Sequence, residues 1–450
     1  MNLSEEQQAA VVAGPRLCIS ACAGSGKSTV LVERIAHQVA NGVPEEDIVA
    51  ITYTKRAAES LRNRLAERLI SPRFVGTVHS WSLWELNRGT DEATWLKAAP
   101  ASLFDRMVED EKRAAGVTSN ANPLLELIFR KVRSKLELDG MIDFDGILLK
   151  MLDNVLNKKH PDVSLFVDEY QDTGPIEQAM YEAMDLKRFT IVGDVRQCLY
   201  EFRGADPKSM DNTAERMGME RVSLTRNFRC TEEIEREAHA VLMGNGVLFV
   251  SAELKDIGEA IMGNREATVL CGYNATIDQL EEWLRQRGVP VAREKNKLER
   301  LQLEAYLRMK SDEYPNAALL RNAINLVCPE RLKVLDKIAG DQLVDLVELF
   351  DADEELRLFE PQMNQMEALM MDYPHLDYEE LAELVMNPTE PESMGVRLMT
   401  IHGAKGLEWD SVIFVDDLRQ TEGHARMRYV AATRARKNLL RIKFKERWER

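Results

Sequence analysis

The sequence has no apolar run approaching the ~20 residues that a membrane-spanning helix needs. Its opening, MNLSEEQQ, is acidic and polar, so it reads as neither a secretory signal nor an Arg-rich transit peptide. Cysteine is sparse: six residues (Cys18, Cys22, Cys198, Cys230, Cys271 and Cys328), with no CxxC pair and no Cys/His cluster at zinc spacing. That excludes a disulfide scaffold or a zinc module and fits a reduced, cytosolic compartment. There is no internal repeat of fixed period and no low-complexity linker. Nor is there an excess of positive charge: 59 basic against 75 acidic residues give −16.

The distribution of charge matters more than its sum. Residues 341–392 hold 16 acidic residues and one basic residue, Arg357, which leaves the rest of the chain near neutral. A near-neutral body can carry a local basic groove, and only the local field matters to a phosphate backbone. The acidic segment is expected to lie away from nucleic acid, as a solvated helical face or a surface for a protein partner. With 450 residues, 45% hydrophobic and 30% charged, the chain suits a soluble protein of two to four domains.

What is present is an alternation of strands and helices. RLCISAC, IVAITYT, LFVDEYQ and FTIVGD read as short buried strands, and STVLVERIAHQVANG and KRAAESLRNRLAERLI as helices between them. Such alternation predicts a parallel sheet covered on both faces, with ligands at the carboxyl ends of its strands. Gly24, Asp168 and Asp194 fall at those ends. The rhythm breaks over residues 85–141, which are mostly helical and include the basic FRKVRSK around Lys131. It restarts with EATVLCGY, TIDQLEEWLRQRG, VRLMTIHG, DSVIFVDD and LLRIKF. The fold expected is α/β, with two parallel-sheet lobes and a helical insertion in each. The first lobe takes residues 1–84 and 142–226 around the 85–141 insertion. The second takes 227–297 and 393–450 around an acidic, mostly helical insertion at 298–392.

Ala23-Gly24-Ser25-Gly26-Lys27-Ser28 sits between a predicted strand and a predicted helix, the context a phosphate loop needs. Glycines let backbone N–H groups approach phosphate oxygens, and the helix adds its positive end. Lys27 would neutralise the β- and γ-phosphates and the Ser28 hydroxyl would ligate Mg²⁺. Ala21 stands where the strict pattern has glycine. Asp168, after the apolar run Leu165-Phe166-Val167, would hold the metal shell, and Glu169 would orient and deprotonate the attacking water. These two motifs predict an NTPase using ATP and Mg²⁺. They are silent on what it drives.

Further segments, in order, are LSEEQQAAV, AITYTKRAAESLRNRL, GTVHSW, VDEYQDT, IVGDVRQCLYEFRGA, LTRNFRCTEEI, VRLMTIHGAKGLEWDSVIFV and RYVAATRA. Together with the phosphate loop this set resembles the UvrD/Rep/PcrA family of superfamily 1 DNA helicases, in segments from Leu3 to Ala435. The resemblance implies two RecA-like motor lobes and ATP-driven 3′→5′ translocation on single-stranded DNA with duplex unwinding. Tailed duplexes and single strands would be the substrates, and a bacterial or phage-infected cell the setting, in replication, repair or recombination. Gln7 matches the residue that reads the adenine edge and Gln197 the sensor of the γ-phosphate. Arg229 and Arg434 match two arginines that reach that phosphate, Phe228 a ring stacked on adenine, and Glu408 a carboxylate on the ribose. Tyr53, Tyr200 and Phe202 match positions that stack or wedge bases, with Arg203 supporting the same surface. Thr52, His79, Thr400 and His402 match DNA-contacting positions. The chain also departs from the pattern. Thr29 replaces an arginine at the adenine, Phe202 a tryptophan and Tyr53 a phenylalanine. Val195 and Arg196 replace acidic residues, and the second insertion, about 95 residues, does not match the usual large accessory domain. A translocase that strips proteins from single strands, and a nucleotide-gated DNA-binding scaffold, are the competing readings. Intact Glu169 and both arginines speak against the scaffold.

Overall fold

The computed structural model describes residues 3–90, 95–99, 124–243, 251–293, 297–311, 395–419 and 421–444, with short stretches or single positions between 103 and 115 and between 323 and 381. Most of the acidic segment 341–392 lies outside the described residues, so the partner surface expected there does too. Contact density divides the chain into two compact units. One comprises Met1–Ile257, Leu270–Thr276 and Thr400–Arg450; the other comprises Gly258–Val269 and Ile277–Met399.

The first unit is built on a parallel sheet of β1 (Arg16–Ala21), β2 (Ile48–Ile51), β3 (Phe74–Gly76), β4 (Ser164–Val167), β5 (Arg188–Gly193) and β6 (Glu220–Leu224), in the order β3-β2-β4-β5-β1-β6. Every residue of β2 and β4 is buried, as a sheet covered on both faces requires. Alternate residues serve opposite cores. Val49, Ile51, Leu165 and Val167 face Trp81, Met151, Tyr170 and Tyr181. These come largely from α4 (Val78–Asn87), α6 (Phe144–Asn157) and α7 (Pro175–Ala183). Ile48, Ala50 and Phe166 face Ala10, Val30, Ile35 and Leu61 on α1 (Glu5–Val12), α2 (Lys27–Ala40) and α3 (Lys55–Ala66). Because all six strands run the same way, the segments after β1, β2, β4 and β5 emerge along one edge. Those segments carry residues 22–28, 52–54, 168–172 and 194–197.

The basic FRKVRSK stretch lies on α5 (Leu125–Leu138), whose Ile128, Val132 and Leu136 are buried while Arg130, Lys131 and Lys135 form exposed ion pairs with Glu126 and Glu111. That arrangement is a solvated helix face. Two-residue strands at Lys97–Ala98 and Met141–Ile142 pair across this region, too short for periodicity to reveal.

Arg34, on the inner face of α2, is 1% exposed. Its guanidinium donates to the carbonyls of Ala10, Val11, Ala13 and Gly14 and to the Thr190 hydroxyl. It thereby caps the carboxyl end of α1, which carries Gln7, and burial pulls its acidity to a pKa of about 10. Arg34→Met fills similar space but strands those carbonyls. It is expected to cost ~3 kcal/mol, read as a lower urea midpoint; an unchanged midpoint would remove the cap from the account.

The same unit holds α8 (Ser209–Arg216), α9 (Glu232–Leu242), β7 (Ser251–Ala252), the end of β8 (Thr268–Cys271), β11 (Trp409–Asp416), α13 (Glu422–Ala432) and β12 (Ala435–Phe444). β12 pairs parallel with β11 and β7. It is longer than LLRIKF because it tracks β11 along its length, past an irregularity at Trp409/Ser411. Two buried carboxylates fix the connection from β11 to α13. Asp416 accepts from Arg428 Nε at 2.8 Å and Arg441 Nη2 at 2.7 Å, and Asp417 accepts from the backbone N–H of Gly272 and Tyr273. Burial raises the Asp417 pKa above the usual carboxylate value despite those donors. α9 and α13 share a core of Ala238, Val241, Tyr429 and Ala432 that includes Ala23 of the phosphate loop.

The second unit contains β9 (Val291–Arg293) paired parallel with β10 (Val396–Thr400), of which all but Thr400 belongs to it, most of α10 (Leu254–Gly263) and α11 (Asn274–Arg285), and α12 (Lys297–Ser311). Tyr306 lies 5.1 Å from Phe359, with Met363 and Met366 packed against them. These methionines are core filler, Met370 is partly exposed, and Met371 lies outside the described residues. Among the described residues no helix is long and apolar enough to cross a membrane.

Candidate nucleotide and nucleic-acid site

The phosphate loop turns because Gly24 and Gly26 adopt φ of 73° and 82°, a region open to glycine. A Cβ on Gly24 would stand 2.6 Å from that of Arg229, and one on Gly26 2.6 Å from Gln7 Nε2. The loop is thus closed over by residues far away in sequence as well as near. Ser25 is buried and its hydroxyl donates to Cys22 O at 2.8 Å. Gln7 Nε2 donates to Ser25 O at 2.9 Å, which seats Gln7 on the loop. Lys27 opens α2, directly followed by Ser28 and Thr29. Arg64 Nη2 donates to the Thr29 hydroxyl at 3.0 Å, so α3 brings a guanidinium to the position where Thr29 lacks one.

Asp168 and Glu169 follow β4 directly. Glu169 has φ 54°, a left-handed conformation that costs a non-glycine residue ~1–3 kcal/mol. It places the Glu169 carboxylate 3.9 Å from Lys27 Nζ and within 2.6 Å of Gln171 Nε2. Burial, and then the neighbouring Glu169 charge, raise the Asp168 pKa well above the ordinary carboxylate range. For Glu169 burial acts in the same direction, but Lys27, Lys405 and the Gln171 hydrogen bond outweigh it, and the group stays ionised. The hard oxygens of Ser28 and Asp168 fit Mg²⁺, which keeps several of its waters.

The remaining parts come from distant sequence. The Phe228 N–H donates to Gly24 O at 2.9 Å; the ring is half exposed with the Arg226 guanidinium 5.0 Å from its centre. Arg229 pairs with Glu408 and donates to Thr433 O. Arg434, 2% exposed, donates to Val430 O and Leu407 O, and its Nη2 reaches Gln197 Oε1 at 3.0 Å. Burial, then the Arg229 charge, pull its pKa to about 10. Gln197 Nε2 donates to Asp194 Oδ2 at 2.8 Å. The structure therefore brings Gln7, Ala23–Thr29, Asp168, Glu169, Gln197, Phe228, Arg229, Glu408 and Arg434 to one region. Glu408 contacts Arg229 there.

Beside them lies an aromatic group. Tyr53 stacks on Tyr200 at 4.8 Å, the His402 ring is 5.9 Å from Tyr200, and the Arg203 guanidinium lies 5.8 Å from the Tyr200 ring. His79 contacts the Phe144 ring at 5.0 Å. Burial lowers the pKa of His79 and His402 and favours their neutral forms. Thr52 is buried and donates to Thr54 O, while Thr400 Oγ1 accepts the Gly403 N–H. The side chain of Phe202 lies outside the described atoms.

Sequence reasoning missed Lys405, Tyr429, Arg226 and Arg64. Lys405 bonds buried Asp172 and the Gln197 carbonyl, with its Nζ 5.3 Å from the Tyr200 ring centre. It thus bridges the carboxylates and the aromatics. Burial raises the Asp172 pKa to about 6, against the pull of Lys405. Tyr429 accepts the Ala23 N–H at 3.4 Å. Lys405 and Tyr429 sit inside the quoted segments AKGLEW and RYVAATRA; only their partners were hidden.

Residues 3–105 and 92–218 match the model of the UvrD/REP helicase N-terminal domain, and residues 395–440 that of the UvrD-like helicase C-terminal domain. The chain is 25% identical to the ATP-dependent DNA helicase UvrD2 of Mycobacterium tuberculosis, over 97% of this chain and 78% of that protein. It is 29% identical to the ATP-dependent DNA helicase PcrA of Leuconostoc citreum, over 54% of this chain and 39% of that one. It is 28% identical to DNA helicase II of Escherichia coli, over 54% and 41%.

Proposed function

Since the chain belongs to the UvrD/Rep/PcrA-like family of superfamily 1 helicases, we propose that it is an ATP-dependent DNA helicase that moves 3′→5′ along single strands and couples hydrolysis to unwinding. One observation carries the reading of the site. Arg434 meets Gln197 across 237 positions of sequence, beside a phosphate loop that Arg229 also closes. A cradle assembled from distant segments ties hydrolysis to the relative placement of those segments.

In this reading Lys27 and the loop N–H groups hold the β- and γ-phosphates, and Gln7, Phe228 and Arg64 surround the base. Ser28 and Asp168 hold Mg²⁺, which would neutralise phosphate charge when bound. Glu169 orients the attacking water and accepts its proton. Arg229 and Arg434 stabilise charge on the transferring group. Tyr53 and Tyr200 offer ring faces to bases of any sequence, at ~1–3 kcal/mol per base. Lys405 stands where a change at the carboxylates can reach those rings.

The test is ATP turnover with and without single-stranded DNA, followed by unwinding of 3′- and 5′-tailed duplexes. Stimulated turnover and unwinding from the 3′ tail are expected. Turnover indifferent to DNA would remove the motor reading, and unwinding from a 5′ tail alone would reverse the polarity. Stimulated turnover without strand separation would favour the protein-stripping translocase.

A further inference from the structure

Asp194 is 1% exposed, and its carboxylate sits at the crossing of four contacts. Oδ1 accepts from the Arg196 backbone N–H at 3.1 Å and Arg196 Nε at 2.9 Å. Oδ2 accepts from Gln197 Nε2 at 2.8 Å and the Tyr429 hydroxyl at 3.4 Å. Arg196 does more than pair this charge. Its Nη2 donates to Ala21 O at 3.2 Å, where β1 runs into the phosphate loop, and its guanidinium lies 5.4 Å from the Tyr429 ring centre.

Gln197 is held from both sides in this arrangement: its Nε2 donates to Asp194 and its Oε1 accepts from Arg434. A phosphate oxygen offers only acceptor sites. When the Gln197 amide swings its Nε2 away toward a terminal phosphate, the bond to Asp194 is given up. Were Asp194 otherwise unpaired, that departure would strand a buried charge, which is strongly unfavourable. Arg196 holds the other carboxylate oxygen, so the charge stays compensated when the amide turns away. A guanidinium suits this task, because its fork spans the carboxylate and the Ala21 carbonyl at once.

We infer that Arg196 is a positioning residue for the nucleotide reaction, one that lets Gln197 exchange between Asp194 and a terminal phosphate by keeping the buried Asp194 charge paired. The inference rests on the reading of the site as an ATPase. Val195 and Arg196 are departures from the family pattern, and this geometry gives the second of them a role.

The experiment uses the full chain with saturating single-stranded DNA. It measures kcat and KM for ATP, the affinity for a fluorescent ADP, and the thermal midpoint, in Arg196→Met, Arg196→Lys and Arg196→Met/Asp194→Asn. Arg196→Met is expected to lower kcat about ten-fold, with ADP affinity nearly unchanged because ADP lacks the terminal phosphate. Arg196→Lys recovers part of the loss. The double variant also recovers kcat, since a carboxamide leaves no charge to strand and holds Gln197 less tightly. Wild-type kcat in Arg196→Met would overturn the assignment. So would a loss matched by weaker ADP binding and a lower midpoint without recovery in the double variant. A wild-type protein that hydrolyses no ATP would instead sink the ATPase reading, and the role of Arg196 with it.

Discussion

Glu169→Gln is expected to lower DNA-stimulated ATP turnover about 10³-fold, within the 10²–10⁴ typical of a lost general base, while single-strand binding persists. The substitution keeps the size of the side chain and its place after Asp168. It removes the negative charge that faces Lys27 at 3.9 Å and leaves one oxygen able to accept from Gln171 Nε2, which sits 2.6 Å away. The lysines and Gln171 favour the ionised form of Glu169, so the variant loses its proton acceptor rather than its fold. The aromatic pair Tyr53–Tyr200 is untouched. Turnover close to wild type would remove Glu169 from the chemistry. Loss of turnover together with loss of DNA binding would point to a collapsed site.

Arg434→Lys is the second large effect. A guanidinium aimed at a transferring phosphoryl group is worth ~10³–10⁵ in rate, and a fall of that order in kcat is expected. Lysine retains the charge but cannot reproduce the fork that meets Val430 O, Leu407 O and Gln197 Oε1 together. Arg434 is 2% exposed, so folding must be checked separately, by circular dichroism and the thermal midpoint. A folded variant with kcat within ten-fold of wild type would place the phosphate-facing role elsewhere, with Arg229 the remaining candidate. A melted variant would make Arg434 a structural residue first.

Much of this site was legible beforehand, and for a definite reason. Gly24 through Ser28 make their turn from local backbone freedom, and Asp168 and Asp194 sit at strand ends by their place after apolar runs. Patterns spanning a few residues record local geometry directly. Arg34 shows the limit. Its helical spacing beside Val30, Leu31 and Ile35 marks a buried position, yet nothing nearby in sequence names the four carbonyls it would meet. The basic FRKVRSK stretch was ambiguous for the same reason, until α5 paired its lysines with Glu111. Arg196 looked like an unexplained replacement because Ala21 and Tyr429 lie 175 and 233 positions away.

By itself, the sequence determined the parallel α/β architecture, the phosphate loop, the acidic strand ends and the order of the family segments. Each of these depends on spacing within a strand, a turn or a helix. Only the tertiary structure decided which groups meet across long stretches of sequence: Gln197 with Arg434, Lys405 with Asp172, Arg196 with the Ala21 carbonyl. The physical reason is that a buried charge or amide must find a partner wherever the packed chain puts one, and that choice is made by burial rather than by nearness in sequence.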